Sequence, residues 1–254
     1  MSKLTLRSVP CVFALCWLAA CGSNPTPLST AKDPQTAYNE AREYLDGGSY
    51  EMAIKAYEQL EARFPYGRHA QQAQLDTAYT HFLMGELESA LAACDRFIRL
   101  YPSHANIDYA YYLKGRIYEN DKATDWFGFL PRQPLSERDS TAITNAFDTF
   151  RLLTTRFPES RYAADARERM AKLVEALATH ELNTARYYLA RRAPLAAANR
   201  AQTVVTRFPD SKQVESALEI MIRAYRALQL NDLATDAERV LRQNYPANAF
   251  LADS

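Results

Sequence analysis

The chain has 254 residues, with 30 basic and 30 acidic side chains and a formal charge of zero. No block of like charge stands out, which disfavours a nucleic-acid partner. Glycines number only seven, Ala, Leu, Arg, Glu and Gln are plentiful, and alternating β-branched runs joined by Asn-Gly are missing. The composition therefore excludes a β-sheet protein and predicts an all-α one, long enough for one extended domain or two small ones.

Lys3 and Arg7 precede an apolar run over residues 9–20, followed by Leu18-Ala19-Ala20-Cys21-Gly22. Small residues before the cysteine suit a signal peptidase, and a cysteine directly after the cut is the acceptor in bacterial lipoproteins. A spanning helix would need about 20 apolar residues. Residues 1–20 thus read as a lipoprotein signal peptide, Cys21 as the lipidated first residue, and 21–33, polar and rich in Pro, Ser and Thr, as a tether. By resemblance to known sorting rules, Gly22 in place of an aspartate implies an outer-membrane lipoprotein facing the periplasm. Cys11 and Cys16 would leave with the signal, so Cys94 remains without an intrachain partner.

Beyond the tether the chain aligns on aromatic–proline pairs: Phe64-Pro65, Tyr101-Pro102, Phe157-Pro158, Phe208-Pro209 and Tyr245-Pro246. Twelve residues before each of these prolines stands an alanine (Ala53, Ala90, Ala146, Ala197, Ala234). Five before stands a large apolar residue (Leu60, Phe97, Leu153, Val204, Leu241). After the first four prolines, position +5 is apolar and +8 is alanine: Ala70/Ala73, Ile107/Ala110, Ala163/Ala166 and Val214/Ala217. Offsets of seven and three put such residues on one helix face. Small alanines let two helices approach, and the larger residues fill the gap between them.

Each unit reads as helix, turn, helix, proline stop. In the first, Asp33 caps, Pro34 takes the first helical position, Gly47-Gly48 ends the helix and Ser49 starts the next. Gly48-x-Tyr50-x-x-Ala53-x-x-x-Tyr57 and Gly85-x-Leu87-x-x-Ala90 resemble the second half of the tetratricopeptide repeat. The prediction is a superhelical array of about five such repeats: three over 34–160, two over 161–254. Proline spacings of 37, 56, 51 and 37 residues are uneven. The second interval holds an insertion over 120–136, between the two helices of repeat three. Capping-box spacing at Ser136-Glu137-Arg138-Asp139 follows it. The third interval stretches a helix over 163–190. Repeat five is degenerate, with Asn231 and Glu238 where apolar residues are expected.

No constellation for chemistry stands out. GxSxG, HExxH, CxxC, a glycine-rich phosphate loop and an EF-hand loop are all missing, and the four histidines share no i, i+3 or i, i+4 spacing. The reading is a non-enzyme with no cofactor and no metal. Cys94 aligns with Tyr57 and Phe150 and His81 with Tyr44 and Tyr118, so both are expected to serve packing. Binding is what helical-repeat surfaces do. The first helices are expected to line a peptide groove with Tyr38, Arg42 and Leu45, then Leu75, Tyr79 and Phe82, then Tyr109, Tyr112 and Arg116. Aromatics interleaved with arginine suit an extended peptide bearing aromatic side chains and a carboxylate. Inter-repeat core accounts for the same tyrosines equally well. In the insertion, Asp125-Trp126-Phe127-Gly128-Phe129-Leu130-Pro131 either tucks against the repeats or forms a docking patch.

The non-repeat residues resemble the BamD (ComL/YfiO) family of outer-membrane assembly lipoproteins. The resemblance is carried by Phe64-Pro65-Tyr66-Gly67 with Gln71 and Gln74-Leu75-Asp76, and by Asp95-Arg96-Phe97-Ile98-Arg99-Leu100. It continues through Pro102-x-His104-x-Asn106-Ile107-Asp108-Tyr109, Phe127-Gly128, Arg138-Asp139 and Asn199-Arg200. It implies a role in folding and inserting outer-membrane β-barrels. The C-terminal repeats would bind a BamA POTRA domain, and the N-terminal ones would bind unfolded barrel substrates and other accessory Bam lipoproteins. Asn199-Arg200 matches the segment implicated in the BamA contact, with Arg200 paired to a POTRA carboxylate; the alternative is a replaceable surface arginine. The competing function is a pilotin or a cell-wall scaffold of the same repeat class.

Overall fold

The structure, a computed structural model, describes residues 33–119 and 140–251. The signal peptide, Cys21, the tether up to residue 32, the insertion and the capping box at 136–139 lie outside the described residues. Ten α-helices follow one another with no strand among the described residues. They pair as α1 (Pro34–Asp46) with α2 (Tyr50–Arg63), α3 (Arg68–Met84) with α4 (Leu87–Leu100), and α5 (Ile107–Glu119) with α6 (Ser140–Arg156). The last pairs are α7 (Ala163–Ala190) with α8 (Pro194–Arg207) and α9 (Val214–Ala227) with α10 (Asn231–Asn244).

Local chemistry sets the helix ends. The Asp33 carboxylate accepts from the Thr36 N–H at 3.0 Å, satisfying one of the first-turn donors, and Pro34 follows where a missing N–H is harmless. Gly48 and Gly85 take φ of +75° and +81°, the left-handed turn that reverses α1 into α2 and α3 into α4. Ser49 stands at the start of α2, but its side chain makes no capping bond. Every second helix stops at the aromatic before proline. Phe64, Tyr101, Phe157, Phe208 and Tyr245 each still donate N–H to the carbonyl four residues back, at 2.8–3.0 Å. The next residue, proline, forbids helical geometry at the aromatic, which turns away at ψ of 53–65° where its angles are given.

The alanine pattern is the core. Ala53, Ala90, Ala146 and Ala197 are 0% exposed and Ala234 is 4%, while Leu60, Phe97, Leu153, Val204 and Leu241 are at most 1% exposed. The paired positions after the first four prolines are buried as well. Enlarging Ala53 or Ala90 to leucine is therefore expected to cost about 1–3 kcal/mol by overpacking the helix pair, read as a lower thermal midpoint. Cys94 is fully buried, and desolvation pushes its thiol up to about 12, so it is an inert packing group. His81 does more than pack: its Nδ1 lies 2.7 Å from Glu86 Oε2.

Helix α7 runs 28 residues, about 42 Å. Its first half gives Leu173 to the core of repeats two to four. Its second half gives Leu182 and Ala185 to that of repeats four and five, and Leu177 touches both. The weak fifth repeat is closed by a 3-10 turn, Ala249–Leu251, whose Phe250 packs on that second core with Arg223 over its ring at 5.1 Å. Glu238, apolar by expectation, instead bonds Arg226 at 2.8 Å and Arg242 at 2.9 Å.

Each later junction is fastened by a polar residue in the loop after proline. Asn106 donates to Gln72 of α3, and Ser160 donates to Asp108 of α5. Ser211, Lys212 and Gln213 all bond Glu175 of α7, and Asn248 donates to Glu215 and Glu219 of α9. Ser160, Ser211 and Asn248, each two residues after proline, also accept an N–H two residues on, shaping the loop.

Candidate peptide-binding groove

The first helices of repeats one to three and the start of repeat four enclose a groove of about 320 Å³. It is lined by Arg42, Gln72, Asp76, Tyr79, Asn106, Tyr109, Arg161 and Tyr162. Three of the sequence-predicted residues, Arg42, Tyr79 and Tyr109, meet here. Tyr38 supports the floor: its hydroxyl donates to Asp76 Oδ2 at 2.6 Å, and its ring packs on Tyr57 and His69.

Asp76 organises this end. It is 5% exposed, accepts from Tyr38 and from Gln72 Nε2 at 2.8 Å, and lies 3.9 Å from Arg42 Nη1. Burial raises its pKa, and the Tyr38, Gln72 and Arg42 contacts pull the other way. Burial first, then the bond to Asp76, raises the Tyr38 phenol, so the hydroxyl stays a donor. Gln72 in turn accepts from Asn106 at 2.8 Å. Tyr38, Asp76, Gln72 and Asn106 thus form one hydrogen-bonded line through repeats one, two and three.

Tyr112 and Arg116 lie beside the groove. The Tyr112 ring stacks on Tyr162 at 4.7 Å, and its hydroxyl donates to Asp165 Oδ2 at 2.7 Å and accepts from Arg116 Nη1 at 3.1 Å. Arg169 then ties Asp165 to Glu119, at 2.6 and 2.7 Å. These two residues brace α5 against α7. Phe82 is a correction. It is 4% exposed and packs with Ala78, Cys94, Leu113 and Ile117, so it is core. Leu45 and Leu75, 5% and 0% exposed, are core too. Helix α3 packs against α1, α2, α4 and α5, so most of its circumference is interior.

Five lining residues escaped the sequence reading as groove residues: Gln72, Arg161 and Tyr162, and also Asp76 and Asn106, which entered it only through the resemblance. Their signal was faint. Asp76 interrupts the apolar run Ala73, Leu75, Ala78, and Asn106 and Tyr162 share the fourth position after proline. The Arg161 guanidinium lies over the Tyr162 ring at 4.7 Å and bonds its hydroxyl.

Asn199 and Arg200 are exposed on α8, apart from the groove. Arg200 Nη1 reaches the Glu181 carboxylate of α7 at 3.1 and 3.4 Å, with the arginine side chain 48% exposed. Among the described residues no group of three His, Cys, Asp or Glu is placed to hold a metal, and no helix is long and apolar enough to cross a membrane.

Five stacked helix pairs define a helical array of tetratricopeptide type. The family model described as YfiO, outer membrane lipoprotein, matches residues 30–241. A relative from Neisseria meningitidis serogroup B is 45% identical, covering 92% of this chain and 89% of its own. One from Vibrio cholerae is 34% identical, covering 92% and 96%. Both are named outer membrane protein assembly factor BamD. The chain belongs to this family. Among solved structures, the TPR2AB domain of yeast Sti1 superposes with a TM-score of 0.46 at 12% identity, covering 84% of this chain and 78% of that one.

Proposed function

We propose that this chain is an outer membrane protein assembly factor: a non-catalytic lipoprotein that receives unfolded β-barrel substrates and presents them to BamA. The carrying observation is the groove, where Tyr79, Tyr109 and Tyr162 stand with two cations, Arg42 and Arg161. Tyrosine faces accept aromatic side chains of an extended peptide, and a guanidinium fork fits its carboxylate. The second surface, Asn199 and Arg200, is assigned to a BamA POTRA domain. Other accessory Bam lipoproteins would dock elsewhere on the array.

The groove is tested with a fluorescent peptide from the C-terminus of a barrel protein. Arg42→Glu is expected to weaken binding about tenfold, roughly 1.4 kcal/mol, with unchanged helical circular dichroism. Undiminished affinity would remove the groove from the mechanism. The anchor is tested by Cys21→Ser, expected to abolish acylation and release the protein from membranes. Radiolabelled fatty acid still entering that variant would refute the lipoprotein assignment.

A further inference from the structure

The stretch Phe64-Pro65-Tyr66-Gly67 plays no part in the groove. Phe64 and Pro65 stop α2, and Gly67 at φ +109° turns the chain into α3. No atom lies within 4 Å of where a Cβ on Gly67 would stand, so the backbone angle and not crowding requires glycine there. Between Pro65 and Gly67, Tyr66 is held outward, 91% exposed.

Its neighbours share a character. Arg68 opens α3, and Arg99 and Leu100 end α4, Leu100 being 54% exposed. Arg96 of α4 reaches Glu61 of α2 at 3.7 Å, so the C-terminal ends of these two helices belong to the same edge of the array. Neither Arg68 nor Arg99 has a carboxylate partner among the described residues. Of the acids nearby, Asp33 bonds Thr36 and Glu61 lies 3.7 Å from Arg96. An arginine in a last helical turn is accounted for by the carbonyls there. A tyrosine pinned into solvent at an edge that also carries a bare leucine is not.

The start of α1 lies at the same edge, because α1 and α2 are antiparallel and Ala37 shares a core with Phe64. Eleven residues lie between Cys21 and Asp33, at most about 43 Å of chain. The opposite edge is a further helix length away, about 20 Å.

We propose that the edge formed by Tyr66, Arg68, Arg99 and Leu100 is a membrane-facing surface that rests on anionic phospholipid. The inference builds on acylation of Cys21, which would tether that edge nearest the bilayer. A tyrosine ring settles at headgroup depth, with its hydroxyl in water and its face against acyl chains. Each cation near an anionic surface improves partitioning by about fivefold. The acyl chains would hold the protein at the membrane, and this edge would choose which side of the array lies against it.

The test uses the full mature chain carrying Cys21→Ser, so that no lipid contributes, sedimented with vesicles of phosphatidylcholine alone or with one-third phosphatidylglycerol. Binding is expected only to the anionic vesicles and should fall steeply with salt. Arg68→Glu with Arg99→Glu should lower it at least tenfold, and Tyr66→Ala severalfold. Arg191→Glu with Arg192→Glu, exposed on the opposite edge, should leave it unchanged. No sedimentation with anionic vesicles, or equal loss in the opposite-edge variant, would overturn the proposal. Acylation is read separately, from the mass of the Cys21 peptide in the wild-type protein. A missing acyl group would sink the anchor and leave the vesicle result standing on its own.

Discussion

Truncating Phe150 to alanine is expected to cost about 3–5 kcal/mol, the largest stability loss from any single side chain considered in this array. The ring is fully buried between α5 and α6, in the core that also holds Leu75, Phe97 and Leu173. Its seat exists because α5 carries glycine at 115. A Cβ there would stand 2.4–2.7 Å from three Phe150 ring atoms, closer than carbon atoms tolerate. Gly115→Ala should therefore lose about 1–3 kcal/mol to overpacking, although alanine is the better helix former by about 1 kcal/mol. The two sites should couple: Gly115→Ala on a Phe150→Leu background should cost markedly less than alone, with an interaction of about 0.5–3 kcal/mol. Additive losses in thermal or denaturant melts would mean that the glycine serves the helix and not the ring.

Reversing Arg200 to glutamate is expected to cut co-purification with BamA by more than tenfold while leaving helical content unchanged. Both of its bonds to Glu181 leave from Nη1, so Nε and Nη2 present an unoccupied edge of the guanidinium. Glu181, on α7 and 18% exposed, orients that edge outward. A carboxylate on a docked POTRA domain could then take two parallel bonds, the geometry in which arginine outperforms lysine. Losing one partner of such an interfacial pair costs about 2–5 kcal/mol. Arg200→Lys should restore only part of the binding, and Glu181→Gln should weaken it less than the reversal does. Arg42→Glu, at the groove, should leave BamA binding intact. Unchanged BamA binding by the Arg200 reversal would refute the contact, and unfolding would reassign the residue to holding α8 on α7.

The core was legible because its rule is local. A proline stops a helix wherever it stands, so counting back from it lands on the same helix face every time, and Ala53, Leu60, Ala90 and Phe97 are all interior. The groove was harder to read because the first helices are hemmed in on several sides. In α3, Leu75 and Phe82 face the core while Tyr79, four residues after one and three before the other, reaches the groove. Hydrophobicity cannot separate these faces when both are aromatic or aliphatic. Asp76 was missed for the opposite reason. A lone acid on a helix is usually solvated, and only the tertiary arrangement reveals that Tyr38 and Gln72 satisfy its carboxylate below the surface. Arg161 and Tyr162 belong to a loop whose position depends on the stacking of repeat four upon repeat three.

The loop fastenings all run one way. Asn106 reaches back to repeat two, Ser160 to repeat three, Ser211 to repeat four and Asn248 to repeat five. None waits for a helix that comes later in the chain. A polypeptide emerging N-terminus first could therefore latch each repeat as its loop appears, every new segment finding its acceptor already in place. Such an array would grow like a ratchet, each closure reaching back no further than the repeat just completed, with the next repeat then covering the face of the shared core left open.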